Sequence, residues 1–478
     1  MINPYKLEFI SKNDINGIYQ ASLDILEDVG VAFYHEEALK LLDRNGAKVD
    51  FKKRTVYLQE DLIKDLIRKV PSSFTIYSQN TEKKVEYSEG QTHFTIGADY
   101  AGYILDFESE KRRKATLEDV QNFIIVDDAL DSNEINGPCV MPSDVPYEMV
   151  QIKFAEIMFK LSSKPCSVFM ANMNDIKYIF RMAELLAGGK ESLSKRPIFS
   201  ILSQPVAPLR YSKECVDKIY EGARSGIPLG IAPAPSCGLT APVTMAGFVA
   251  QGFAEALAGV SFAQLVKEKT PVSVSLASII MNFRDGSLNI GSPEAILSHV
   301  AFVQLAHNLG LRANGGGGTD SKLPTIQIGY EKAFSILLNV LVGAEGIHIA
   351  SLDDWGTTAM EQHVIDDEII KYAKRLLQGF NVSAETLAID VIKDVGIGGN
   401  FLEHKHTFRN FKKEHWIPEL SFRESWQTLE KSDRKTIVEN AKRKVAEILR
   451  DHRPEPLEKD VQRSIKTIVR EAEKELMR

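Results

Sequence analysis

The sequence predicts an α/β fold, a (β/α)8 barrel with an N-terminal helical cap and a C-terminal helical extension. Two observations carry this expectation. From about residue 92, short apolar β-branched runs recur, each followed by a helix-length amphipathic segment, and the unit returns every 30–40 residues or so. Eight runs can be counted, and eight parallel βα units close into a barrel more readily than they form an open sheet. At 478 residues the chain is long enough for such a barrel with additions at both ends. The expected division is a cap over 1–90, a barrel over 91–380 with a β-hairpin insertion at about 101–115, and a helical extension over 381–478.

The cap opens with a helix over 12–30, where Ile15, Ile18, Tyr19, Ile25, Leu26 and Val29 share one face. A second helix, 36–44, stops at Asn45-Gly46, a C-terminal capping pair. TVYL and FTIYS read as short strands around a helix over 60–69. The eight barrel strands are then THFTIGA (92–98), INGPCV (135–140), CSVFMA (166–171), PIFSIL (197–202), PLGIA (228–232), VSVSLAS (272–278), GLRAN (310–314) and GIHIAS (346–351). Helices are expected over 147–161, 175–187, 213–223, 245–267, 293–308 and 330–342. YILDF and KRRKA flank a polar turn, which gives the hairpin riding on the first βα loop. Beyond residue 355 the pattern is helical again, over 365–378, 384–395, 433–450 and 457–477.

Net charge is −7, and acidic and basic residues alternate without a basic block. That balance argues against nucleic acid or an anionic membrane as partner. The N-terminal MINPYKLEFISKND lacks the apolar core of a signal peptide, and no window is expected to supply the roughly 20 apolar residues of a membrane span. A cytoplasmic protein is expected. Cys139, Cys166, Cys215 and Cys237 form no CxxC pair and read as reduced, buried thiols.

Barrels place their chemistry at the carboxyl ends of the strands. The residues there are Asp99, Tyr100, Met141, Asn172, Ser203, Gln204, Ser236, Asn282, Asn314 and the run Ser351 to Trp355. Amides, hydroxyls and rings outnumber strong acids and bases, and no nucleophile–base pair stands out. A mouth of this kind suits the orienting of a substrate whose reactivity comes from elsewhere. Gly315, Gly316, Gly317 and Gly318 lack Walker spacing. They read as a phosphate cradle, as an opening for a large flat reactant, or as a turn. Tyr100, Tyr103, Phe169, Phe283, Tyr330 and Trp355 supply ring faces, the means by which a protein holds an ammonium ion that offers no hydrogen bond. His348, inside the eighth strand, is expected to point inward, either as a core residue or as a donor to a carboxylate. Glu403, His404, Lys405 and His406 invite a zinc reading if they form a strand, against which stands the absence of a nearby thiolate.

Three blocks then resemble the trimethylamine methyltransferase (MttB-like) family. They are LDILEDVGVAFYHEEALKLLDRNGAKVD, GGGGTDSKLPTIQIGYEK, and GGNFLEHKHTFRNFKKEHWIPEL with the two helices after it. The resemblance runs in order along nearly the whole chain. It implies an enzyme that moves a methyl group from a small amine to the Co(I) corrinoid (cobalamin) of a separate docking protein, with no cofactor or metal of its own. Founding members carry pyrrolysine; this chain has only standard residues and so is similar to the glycine betaine methyltransferases. Thr325 departs from the acidic residue common in the family's P-D-x-Q segment.

A quaternary nitrogen makes chemical sense of that departure, because it leaves as a neutral amine without acid catalysis. On this reading Tyr100, Tyr103, Phe169, Tyr330 and Trp355 surround the ammonium, and Asp99 or Asp320 supplies compensating charge. His348 or Lys322 receives the carboxylate, and Gly315 to Gly318 keep the corrinoid approach open. A homo-oligomer paired through outer helices, including the charged C-terminal pair, is expected. Two other readings stay open: a zinc-dependent methyltransferase for another methyl donor, and a non-catalytic methylamine-binding protein.

Overall fold

A computed structural model describes residues 7–79, 82–97, 99–432 and 436–477. Seven parallel strands, β1 (His93–Ile96), β2 (Cys166–Val168), β3 (Phe199–Ser203), β4 (Leu229–Ile231), β5 (Val272–Ser275), β6 (Arg312–Gly317) and β7 (Gly346–Ile349), run in the order β1-β7-β6-β5-β4-β3-β2. Representative register pairs are His348 with Thr95 and Gly316, Ser273 with Arg312, and Phe199 with Cys166. The stretch 134–140 fills the eighth position. Asn136 bridges Cys166 in parallel, and the N–H groups of Glu134 and Ile135 both donate to Phe94 O. INGPCV therefore closes the ring without becoming a ladder strand. Gly137 and Pro138 interrupt it, and proline has no N–H to donate.

The helices between strands hold the apolar core. Met245–Val266 is buried along almost its whole length. It corrects one sequence expectation, since by length and apolarity it is able to cross a membrane; here 89% of its apolar window is buried inside the fold. Tyr147–Met149 is a 3-10 turn leading into Val150–Leu161. Ile326–Val342 begins four residues earlier than the periodicity suggests.

In the cap the predicted first helix is Lys12–Asp24, continued as a π-helical turn, Ile25–Val29, which ends at Gly30 with φ +76°. Strands Phe74–Tyr77 and Lys84–Tyr87 form an antiparallel hairpin. Phe74, Ile76 and Tyr87 meet Ile135, Leu229, Ser273 and His348 around a small cavity, so this hairpin closes the amino-terminal end of the barrel. The second hairpin, Tyr103–Asp106 with Lys111–Lys114, follows β1, and Thr357 pairs with Tyr103 beside it.

Ile437–Asp451 packs on Met360–Gln378 and Leu117–Ala129, while Lys459–Leu476 packs on Met173–Ala187 and Val150–Leu161. Lys177–Glu475 and Arg181–Glu471 ion pairs, both 2.7 Å, tie the last helix down. These charged helices thus spend their apolar faces on their own barrel. The expected start at residue 433 lies outside the described residues, as do residues 1–6 and Ala98. All four cysteines are free and buried, and burial pushes the thiols of Cys166 and Cys215 up to about 12 and about 11.

Candidate active site at the barrel mouth

At the carboxyl ends of the strands lies a cavity of about 150 Å³, roughly ten times the room one water needs. Phe169 and Trp355 contribute rings to its wall, Gln204 an amide, and His299 and His348 imidazoles. Among the described residues that line it there is no carboxylate, ammonium, guanidinium or thiol.

Strand alternation explains His348. Its neighbours Ile347 and Ile349 are fully buried against the helices, so His348 faces the barrel axis. It lines both the floor cavity and the mouth cavity. His299 arrives differently, from the helix Pro293–Asn308, and bonds the backbone of Leu276. Burial pushes both imidazoles down to about 4, so each is neutral at physiological pH, with one N–H to donate and one lone pair to accept.

The glycine run is not a turn after β6 but largely β6 itself, and none of its four members has positive φ. A methyl group at Gly315 would strike the Asn339 side chain at 2.0 Å, and at Gly317 the Ile349 side chain at 2.9 Å. At Gly316 and Gly318 the obstacles are His299 at 2.7 Å and Ile290 at 2.5 Å. The missing side chains therefore admit protein atoms. The strand conformation replaces the reading of the run as a turn, and all four glycines line the cavity.

Asp99 sits just beyond β1, 8% exposed. Its Oδ2 accepts from Ser351 N at 2.7 Å, while Oδ1 is buried without a hydrogen-bond partner. Burial pushes this carboxyl up to about 7, against the pull of His363 and Lys332. Tyr100, with φ +54°, places its ring 5.2 Å from that of Phe169 and backs the cavity wall rather than lining it.

Trp355 belongs to a left-handed run, with φ +52°, +50° and +65° at Asp353, Asp354 and Trp355. Such conformations cost energy for non-glycine residues and persist only where neighbours impose them. Here Asp353 is held by Arg112 at 3.1 Å, Lys322 at 3.0 Å and the Thr357 hydroxyl at 3.0 Å. Lys322 is thus committed to the Trp355 loop and does not line the cavity. Asp320 Oδ1 accepts from the N–H groups of Ile290 and Gly291 at 2.7 and 2.9 Å. Burial and the Asp320 carboxylate push Asp354 up to about 8.

Tyr103 is exposed on the hairpin, and Arg112 lies over its ring at 4.9 Å. Tyr330 is exposed on the helix Ile326–Val342. Neither lines the cavity. The residue that sequence reasoning missed is His299; its signal was a histidine near the start of a helix whose first turn must lie at the mouth. The zinc reading of His404 and His406 required a strand. The segment is instead the start of the helix Lys405–Glu414, with His404 Nδ1 capping His406 N at 3.0 Å and Nε2 3.2 Å from Asp394.

Residues 2–477 match the model of the trimethylamine methyltransferase family. The chain belongs to that family. It is 29% identical to trimethylamine methyltransferase MttB of Desulfitobacterium hafniense (strain DSM 10664 / DCB-2), over 99% of this chain and 96% of that one. It is 30% identical to the glycine betaine methyltransferase of Desulfitobacterium hafniense (strain Y51), over 98% of each. Among solved structures, the Methanosarcina barkeri monomethylamine methyltransferase (MtmB) superposes with a TM-score of 0.52 at 12% identity, covering 93% of this chain and 90% of that one. That likeness concerns the fold alone. A member of the trimethylamine methyltransferase family, the chain is a methyltransferase.

Proposed function

We propose that this methyltransferase takes a methyl group from a small quaternary amine bearing a carboxylate, of the glycine betaine kind, and gives it to the Co(I) corrinoid of a separate protein docked over the mouth. The observation that carries the reading is the lining of the cavity: ring faces and neutral donors, with no charged side chain among the described lining residues. A fixed cation is held by the faces of Phe169 and Trp355. Neutral His348 and Gln204 offer N–H groups to a carboxylate without cancelling the ammonium's own charge, while the single N–H of neutral His299 goes to the backbone of Leu276.

The reaction breaks one C–N bond. The bonding pair stays on nitrogen, which leaves as an uncharged tertiary amine, and the methyl carbon goes to the corrinoid, which when present supplies the nucleophile. No proton moves, so the chain's residues need only grip, align and exclude water. The wall fits an acceptor that arrives from outside, because Gly315 to Gly318 present only backbone to the cavity and Trp355 borders it. The kinship with a glycine betaine methyltransferase, and the lack of pyrrolysine, support the same substrate class.

The test is to incubate purified protein with reduced cobalamin and glycine betaine, proline betaine, carnitine, choline or γ-butyrobetaine, following methylation by the corrinoid spectrum. Methylation with one or more carboxylate-bearing donors is expected. No methylation across the panel removes the reading.

A further inference from the structure

The interior of a barrel is ordinarily filled by layers of bulky branched side chains. Here it is small and polar. Along β2, β3 and β4 the residues turned to the helices are buried, whereas Ser167, Ser200 and Gly230, turned to the axis, stay partly exposed. They open on the floor cavity beneath His348, about 20 Å³ in volume, which the hairpin of Phe74–Tyr77 with Lys84–Tyr87 closes from the amino-terminal end. One water molecule needs roughly 10–15 Å³.

Four polar side chains meet there with unequal capacities. Asn314, 6% exposed, donates through Nδ2 to Ser273 Oγ at 3.4 Å, while its Oδ1 is buried with no partner among the described residues. A methyl group at Gly346 would lie 2.5 Å from that Oδ1 and 2.9 Å from the Tyr87 hydroxyl, so the two atoms converge where the glycine leaves room. Ser273 Oγ accepts from Asn314 and keeps its own hydrogen to give. Burial pushes the Tyr87 phenol well above its ordinary value, so it too remains a donor. His348 lines the same cavity, and burial alone holds its imidazole neutral, with one nitrogen to donate and one to accept.

We infer that the floor cavity binds one structural water and that this water fixes the tautomer of His348. The Ser273 and Tyr87 hydroxyls fill the water's two lone pairs. Its two hydrogens go to Asn314 Oδ1, which can only accept, and to the floor-side ring nitrogen of His348. Three or four such bonds are what a buried water ordinarily makes. The imidazole hydrogen then resides on the other nitrogen, at the mouth cavity that His348 also lines. Asn314 is thus a positioning residue, acting on the mouth through the water and the ring. Use of that N–H by a substrate carboxylate rests on the proposed substrate; the water and the tautomer do not.

Two measurements on the full-length protein without methyl donor test the inference. A crystal structure should show one water in the floor cavity, within hydrogen-bond distance of Asn314 Oδ1 and a His348 ring nitrogen. Nitrogen-15 NMR of histidine-labelled protein at pH 8, with His348 assigned by the signals lost in His348→Gln, should show widely separated shifts, the protonated nitrogen being the one at the mouth. Asn314→Leu, similar in volume but without the acceptor, should draw the two shifts together as the tautomers mix. A dry floor cavity, coincident shifts or a floor-side N–H in the wild type, or shifts that Asn314→Leu leaves unchanged, overturns the inference. With no methyl donor present, failure of the betaine reading would leave these results as they are.

Discussion

His299 occupies the space that a side chain at Gly316 would need: a methyl group there would lie 2.7 Å from His299 Cε1. A strand glycine thereby lets a helix-borne imidazole reach the barrel cavity. Gly316→Ala should displace the ring or strain the strand, destabilising the protein by about 1–3 kcal/mol as other overpacked cores do. Thermal melts read the stability loss, and a fall in kcat/KM for the methyl donor reads the displaced imidazole. Unchanged stability and kinetics together would show that the imidazole has room elsewhere.

Trp355→Ala should lower kcat/KM by about 10- to 30-fold, the worth of one desolvated cation–π contact. Trp355→Phe, which keeps a ring face, should recover part of it. A matching loss in both variants would assign the effect to the strained loop and not to the ring.

The two histidines make stability fall in acid. Both are held near 4 in the fold, whereas an unfolded histidine takes up its proton near 6.5. The unfolded chain therefore binds more protons between these values, and stability present above pH 6.5 is lost as pH falls toward 4. His348→Gln should flatten that limb by on the order of 1–2 kcal/mol, seen as a smaller difference between melting temperatures at pH 7 and pH 5. An unaltered limb would mean that His348 is already charged in the folded protein.

Asp99 works in the opposite direction. Its carboxyl is raised to about 7, so the folded chain keeps a proton that the unfolded chain gives up near 4. Stability from this group is complete below pH 4 and lost as pH rises through 7. Asp99→Asn should gain on the wild type steadily between pH 4 and pH 7 in denaturant titrations. No pH dependence in that difference would place the charged carboxylate in the fold across the range.

Much of this architecture was legible in the sequence because the barrel announces itself by period. The run around His348 alternates as a strand must, and its inward direction followed from Ile347 and Ile349. INGPCV was legible as an element but not as its type, because Pro138 removes the ladder donor while leaving the segment in place. The glycines of β6 were visible as a pattern and opaque in meaning, since what fills their space comes from His299 and Asn339 on the helices before and after the strand. Lys322 and Asp320 looked free because nothing local reveals that Asp353 and the N–H groups of Ile290 and Gly291 engage them. Tyr103 and Tyr330 are aromatic like the cavity residues Phe169 and Trp355 but do not share their position, which only the hairpin and helix geometry decides.

A donor nitrogen that already carries its positive charge leaves the site with no need of an acid. The most direct measurement compares glycine betaine with dimethylglycine as methyl donors to reduced cobalamin, under identical conditions from pH 6 to pH 8. Transfer from betaine with none from dimethylglycine is the expected result. Comparable rates from the tertiary amine would contradict it, because that reaction requires the proton donor that this mouth does not present.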